Sequence, residues 1–188
     1  MVEENKKKRI LNAALKLFVE NGIDNTSTSL ISKQSDIATG TLYIYFQNKN
    51  DLINELYISI KQEFFGLTRS DLSKMEFSYE SLKRSWLKII DWGVDNPDKF
   101  RFMLQFNSSP YNTDETRSKF AEHENKLVEF VKEGIKNQFI KDLPPEYILE
   151  FLTAHLTFTM DYIVQTNTKE RSMFFDAFFE GIKLYYTS

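Results

Sequence analysis

The sequence predicts an all-α protein, on three observations. Turn formers are scarce: 188 residues hold 6 Gly and 4 Pro, and a fold of many short strands needs more. Apolar residues recur at three- and four-residue intervals through most of the chain, the period of an amphipathic helix. Hydrophobic residues make up 41% and charged residues 27%, so there is a core to bury and the chain is not a disordered polyelectrolyte.

About nine helices are predicted. The first covers roughly 6–21, with Ile10, Ala13, Ala14, Leu17 and Phe18 on one stripe. Gly22 suits the left-handed residue that closes it. Two short helices follow, about 28–35 and 39–46, separated by Asp36-Ile37-Ala38. Asn48 is placed to cap a longer helix over 49–66, with Leu52, Leu56, Tyr57 and Ile60 on one face. The next runs over 78–94 along Leu82, Trp86, Ile89, Ile90 and Gly93. Asn96-Pro97 interrupts the pattern, and Pro97 fits the first turn of a short helix to about 106. One long helix is expected over 114–139, another from Pro144-Pro145 to about 165, and a last over 170–186. The polar stretch 67–77 is the expected hinge between a head and a body.

Several chemistries are excluded or disfavoured. With no cysteine there is no disulfide, thiolate metal site or cysteine nucleophile. No Gly-rich phosphate loop, no Gly-x-Ser-x-Gly and no His/Asp/Glu cluster at metal-ligand spacing occurs. The expectation is therefore no enzyme, no metal and no cofactor. Glu122–Glu124 and Glu146–Glu150 read as solvated helix faces, and His123 and His155 as hydrogen-bonded core residues. Behind Met1 lies a charged stretch with no apolar signal segment, and no apolar run approaches the ~20 residues of a membrane span. A cytoplasmic location without a membrane partner is expected.

Charge is uneven. Residues 1–50 carry seven Lys/Arg against five Asp/Glu, although the whole chain is at −3. A mildly basic head on an acidic body suits a protein that touches phosphate at one end. The second short helix of the head cannot be stable alone. Ile37, Leu42 and Phe46 must dock it on the first helix, which leaves Thr39, Gly40, Thr41, Tyr43, Ile44 and Tyr45 partly free. Small hydroxyl residues and a glycine there allow close approach of DNA. Tyrosine hydroxyls and Lys49 can bind phosphate oxygens.

Gly22-x-x-x-Thr26-Ser27-Thr28, Ile31, Ile37 to Phe46 and Lys49-Asn50-Asp51-Leu52 closely resemble the DNA-binding signature of the tetracycline-repressor (TetR) family. The specific part is Gly-Thr-Leu-Tyr-x-Tyr-Phe-x-x-Lys-x-x-Leu, several residue types at fixed spacing. The resemblance implies a helix-turn-helix, a homodimer on a palindromic operator, and a recognition helix in each of two major grooves. It implies that Thr28 caps the second helix and touches phosphate. Thr39, Gly40 and Thr41 line the groove, Tyr43 and Tyr45 bind backbone, and Lys49 binds phosphate. It further implies a small-molecule effector and, as the family's usual mode, repression. The chain departs from the family pattern at Asp36, where Gly is usual, and at Ala38-Thr39, where Ser followed by Lys is common. Loss of that Lys removes a phosphate contact and a guanine reader.

The expected division is a DNA-binding head over 1–48 and a ligand-sensing, dimerising bundle over 49–188. In the bundle, Trp86, Phe102, Met103, Phe106, Phe120, His123, Phe158 and Tyr162 are candidates to line a pocket for an apolar or amphipathic effector. The last two helices carry apolar residues in adjacent pairs, a stripe too wide for one core. Leu152, Leu156, Phe175, Phe179 and Tyr186 are the candidate dimer contacts. The competing reading is a helical protein-binding adaptor without specific DNA binding.

Overall fold

Helices form where the apolar stripes predict them. The computed structural model describes residues 2–69 and 77–184. Among these there are ten α-helices: α1 (Val2–Asn21), α2 (Thr28–Ser35), α3 (Thr39–Tyr45), α4 (Lys49–Gly66), α5 (Tyr79–Asp95), α6 (Pro97–Asn107), α7 (Asp114–Ser118), α8 (Ala121–Lys136), α9 (Pro145–Thr166) and α10 (Ser172–Ile182). Most of the expected hinge, residues 70–76, and the candidate dimer contact Tyr186 lie outside the described residues.

The count exceeds the expected nine because the long helix over 114–139 is two helices. Thr113 Oγ1 accepts from Thr116 N at 3.3 Å, capping α7, and Thr116 Oγ1 donates to Asn54 Oδ1 of α4 at 3.0 Å. Phe120 turns in instead, edge-on to Phe65 at 5.5 Å. The two halves of the stripe thus serve different cores, and no single straight helix satisfies both. The last helix ends earlier than expected, because the chain after Ile182 pairs with another segment: Lys141 N donates to Ile182 O at 2.8 Å.

The chain forms two compact units, one of residues 1–62 with 96–118, the other of 63–95 with 119–188. In the first, α1 packs on α2, α3 and α6. Ile10, Ala14, Phe18, Ile31, Leu42, Phe46, Leu52 and Ile53 form its buried centre. Phe18 stacks on Phe102 of α6 at 5.8 Å, and Tyr57 of α4 on Phe106 at 3.8 Å. In the second unit α9 packs on α5, α8 and α10, and α10 also on α5. Ser78 and Ser81 cap the start of α5 reciprocally, each hydroxyl accepting from the other's backbone N at 3.0–3.1 Å. Gly134 lets α8 approach closely: a Cβ there would meet the Phe77 ring at 2.7 Å. Tyr79, Lys83 and Asp176 tie α5 to α10, with Tyr79 Oη donating to Asp176 Oδ1 at 2.5 Å and Lys83 Nζ at 3.2 Å from the same oxygen. The hydrogen bond from Tyr79, with the charge and donor of Lys83, holds the Asp176 carboxyl below its ordinary range.

Candidate nucleic-acid interface and apolar cavity

The head is assembled from its caps inward. Gly22 closes α1 in the left-handed region at φ 85°, its N–H donating to Phe18 O at 2.9 Å. Ser27, not Thr28, caps α2. Ser27 has extended backbone (φ −86°, ψ 153°), and its Oγ accepts from Leu30 N at 3.1 Å. Thr28 is already the first helical residue, so its hydroxyl points elsewhere and hydrogen-bonds Tyr43 Oη at 3.1 Å. The turn after α2 needs a left-handed residue, and Asp36 supplies it at φ 53°. That is the conformation for which glycine is favoured. Arg9 compensates, with Nη2 donating to Ser35 O at 2.7 Å, Asp36 O at 3.2 Å and Asp36 Oδ2 at 3.0 Å. The Asp36 carboxylate therefore has a cation of its own chain beside it.

The helix α3 is held from behind. Ile37, Leu42 and Phe46 are buried, as their spacing predicts, and Phe46 N donates to Leu42 O at 3.0 Å to close the helix. Lys7 Nζ lies 5.8 Å from the Phe46 ring centre and pairs with Glu55. Asn48 caps α4 through Asp51 N at 2.9 Å, and Asp51 Oδ2 accepts from Gln47 N at 3.1 Å.

With that face buried, the opposite face of α3 stands out. Thr39, Gly40, Tyr43 and Ile44 are exposed, and Thr41 and Tyr45 half-buried. A Cβ at Gly40 would meet nothing within 4 Å, so the chain's own packing does not require glycine there. Ile44 is 80% exposed. It is free of the core, as its spacing predicts, and lies three and four residues beyond Thr41 and Gly40 on the same helical face. Lys49 Nζ donates to Asp24 O at 3.2 Å, and Tyr111 Oη donates to Asp24 Oδ1 at 3.0 Å. The six candidates from Thr28 to Tyr45 are thus brought together on α2 and α3, and Lys49 is held at the start of α4.

The second unit contains an apolar cavity of about 70 Å³, walled among others by Phe77, Trp86, Leu127, Phe130, Ile148 and Phe178. Thr68, Ser85 and Trp86 are its lining residues with polar atoms. Trp86 is 2% exposed, and its Nε1 has no hydrogen-bond partner among the described residues. Of the pocket candidates only Trp86 lines this space. Phe102, Met103 and Phe106 belong to α6 and are buried in the first unit, where the platform helix α1 claims that face. Phe120 and His123 are taken up by Phe65, which His123 stacks on at 3.8 Å. Phe158 and Tyr162 point outward. His155 lies beside Trp86 at 5.9 Å and Phe178 at 5.3 Å, and burial lowers its imidazole pKa.

The described candidate dimer contacts are buried or half-buried. Phe175 is 0% exposed because α10 turns it onto Trp86 of α5, and Leu156 is buried on α9. Leu152 lines the cavity. Phe179 is half-buried against Tyr79 and Phe175. The large apolar residues exposed on α9 and α10 are Tyr147, Phe151, Phe158, Tyr162, Val164 and Met173, with Phe158 70% exposed. Phe174 reaches Tyr162 edge-on at 5.6 Å on the same side.

Comparison with known proteins agrees with this arrangement. The family described as bacterial regulatory proteins, tetR family, matches residues 10–56, and the one described as Tetracyclin repressor-like, C-terminal domain, matches residues 79–173. An uncharacterized HTH-type transcriptional regulator of Haemophilus influenzae is 24% identical over 102 residues, covering 54% of this chain and 54% of its own length. The fatty acid metabolism regulator protein of Bacillus subtilis is 32% identical over 74 residues, 39% of this chain and 38% of its own. The chain thus matches about half or less of the length of these two relatives. The crystal structure of a TetR family transcription regulator from Marinobacter aquaeolei VT8 superposes with a TM-score of 0.86 at 20% identity, covering 97% of both chains. Among the described residues no helix is long and apolar enough to cross a membrane. With a helix-turn-helix head and a helical body each matching its own part of the family, the chain belongs to the TetR family of DNA-binding transcription regulators.

Proposed function

We propose that the protein is a cytoplasmic repressor that binds a palindromic operator as a homodimer and leaves it when a small apolar or amphipathic molecule enters the second unit. In this reading residues 1–48 are the DNA-binding head and 49–188 the sensing and dimerising part. The observation that carries it is Gly40. An exposed helical glycine costs about 1 kcal/mol against alanine, yet the space around it is open. A glycine there leaves room for a duplex to press closely against α3. Thr28, Thr39, Thr41, Tyr43 and Tyr45 offer hydroxyls around it, and Lys49 a charge. Gly40→Ala is expected to raise the unfolding free energy by roughly 0.5–1 kcal/mol and to weaken duplex binding at least tenfold. Urea melts and fluorescence anisotropy on duplexes selected from a random pool read the two effects separately. A variant that binds as well as the parent would remove the main support for α3 as the DNA-facing helix.

For dimerisation the support is the outward face of α9 and α10. Phe151, Phe158, Tyr162 and Met173 are exposed there, and Phe158 stacks on Tyr162 at 6.4 Å. Two such helices from each of two copies make a four-helix interface with two-fold symmetry. Phe158→Glu should turn a dimer into a monomer in sedimentation at micromolar concentration, with helix content unchanged. A parent that already sediments as a monomer counts against this part.

For the effector the support is the cavity. At about 70 Å³ it is far below the several hundred Å³ of ordinary ligand sites. A ligand of useful size must push α5, α8, α9 and α10 apart, and to release DNA it must bind the DNA-free state more tightly than the DNA-bound one. Among the described residues no charged side chain lines the cavity, and an acceptor on the ligand could satisfy the Trp86 indole N–H.

A further inference from the structure

We propose that Ile44 is the base-reading residue of α3 and that it reads the 5-methyl group of thymine in the major groove. The inference rests on the DNA-binding reading above and adds what that helix recognises. Ile44 is more exposed than any other large apolar residue described.

The composition of α3 narrows what it can read. Thr-Gly-Thr-Leu-Tyr-Ile-Tyr contains no Arg, Lys, Asn, Gln, Asp or Glu. The bidentate pairings that identify guanine and adenine, and the carboxylate that accepts from cytosine, are therefore absent from the helix. What remains toward a base edge is hydroxyls and apolar surface. Thymine alone among the bases offers a methyl group in the major groove.

The surroundings fit the same occupant. Gly40 and Thr41 sit one turn before Ile44 on its face, and the open space at Gly40 leaves nothing to hold a base edge away. Tyr43 Oη is turned to Thr28 at 3.1 Å, so the neighbouring ring is tied back toward α2. The cations of this region stand off the helix, Lys33 in the last turn of α2 and Lys49 at the start of α4. Charges flanking an uncharged tip suit phosphates on either side of a groove floor, whereas an apolar protein partner would gain nothing from them.

The test uses the full chain and duplexes enriched from a random pool, resynthesised with deoxyuridine for thymine at single positions in both half-sites. Deoxyuridine removes only the methyl group and keeps base pairing. The expected result is a roughly fourfold loss of affinity for each contacted methyl removed, from the usual worth of a buried methyl group. Ile44→Ala should bind the thymine and deoxyuridine duplexes equally, and Ile44→Val, which keeps a branched apolar tip, should still distinguish them. If the parent binds selected duplexes but is indifferent to deoxyuridine, or if Ile44→Ala keeps the parent's discrimination, the methyl-reading role is wrong while DNA binding stands. If the parent enriches no duplex, the DNA-binding reading itself fails. If Ile44→Ala leaves binding and discrimination unchanged but shifts sedimentation, Ile44 belongs to a contact between copies and the inference is overturned.

Discussion

Phe46→Ala is expected to lower the unfolding free energy by about 3–5 kcal/mol, the usual range for truncating a buried phenylalanine. Phe46 is fully buried and closes α3, a helix of 7 residues that has no stability of its own. Removing the ring leaves a cavity under the end of α3 and releases the docking that turns Tyr43, Ile44 and Gly40 outward. The stability of a domain is itself only about 5–15 kcal/mol, so this one change takes a large share of it. For a chain of this size the melting temperature should fall by roughly 6–20 °C, and duplex binding should be lost even below the melt. Urea and thermal unfolding followed by circular dichroism measure the first effect. An unchanged midpoint would mean that α3 is anchored by something other than this ring.

The Tyr43→Ala/Lys49→Ala double variant should behave in the opposite manner, with the fold kept and DNA binding lost. Tyr43 is exposed and Lys49 only half-buried, and their hydrogen bonds to Thr28 and Asp24 are at the surface. Surface changes of this kind usually cost about 0.5 kcal/mol or less. In a dimer the double change removes four backbone contacts, and hydrogen bonds to charged groups contribute about 1.5–3 kcal/mol each. A loss of at least about 100-fold in affinity follows, even after allowing for non-additivity. Lys49→Ala alone isolates the charge. One phosphate contact per protomer should reduce the slope of log affinity against log salt by about 0.9, or about 1.8 for a dimer. Anisotropy at several salt concentrations gives that slope. A slope equal to the parent's would show that the Lys49 ammonium stays on the Asp24 carbonyl and never reaches a phosphate.

The parts of the fold legible in sequence were those set by local chemistry. Gly22 and Asn48 cap their helices as expected, and Ile37, Leu42 and Phe46 are the buried docking residues of α3. Their positions follow from helical spacing and from backbone conformations few residues adopt. One error in the head was also local but finer. Ser27 rather than Thr28 caps α2 because the cap falls one residue earlier, a shift that a Thr-Ser-Thr run cannot resolve.

The sequence by itself therefore determined the helix order, the helix-turn-helix and the family, because periodicity, caps and a motif of fixed spacing are properties of neighbouring residues. Only the tertiary structure decided which aromatics face a cavity, a partner or each other. In α9 and α10 apolar residues occur in adjacent pairs, and both members of a pair look equally buried along the chain. Packing against α5 turns Phe175 inward and leaves Phe158 and Tyr162 outside. Packing between α1 and α6 takes Phe102 and Phe106 away from the pocket to which their size assigned them. Such choices depend on which helices meet, and that contact is made between residues far apart in the chain.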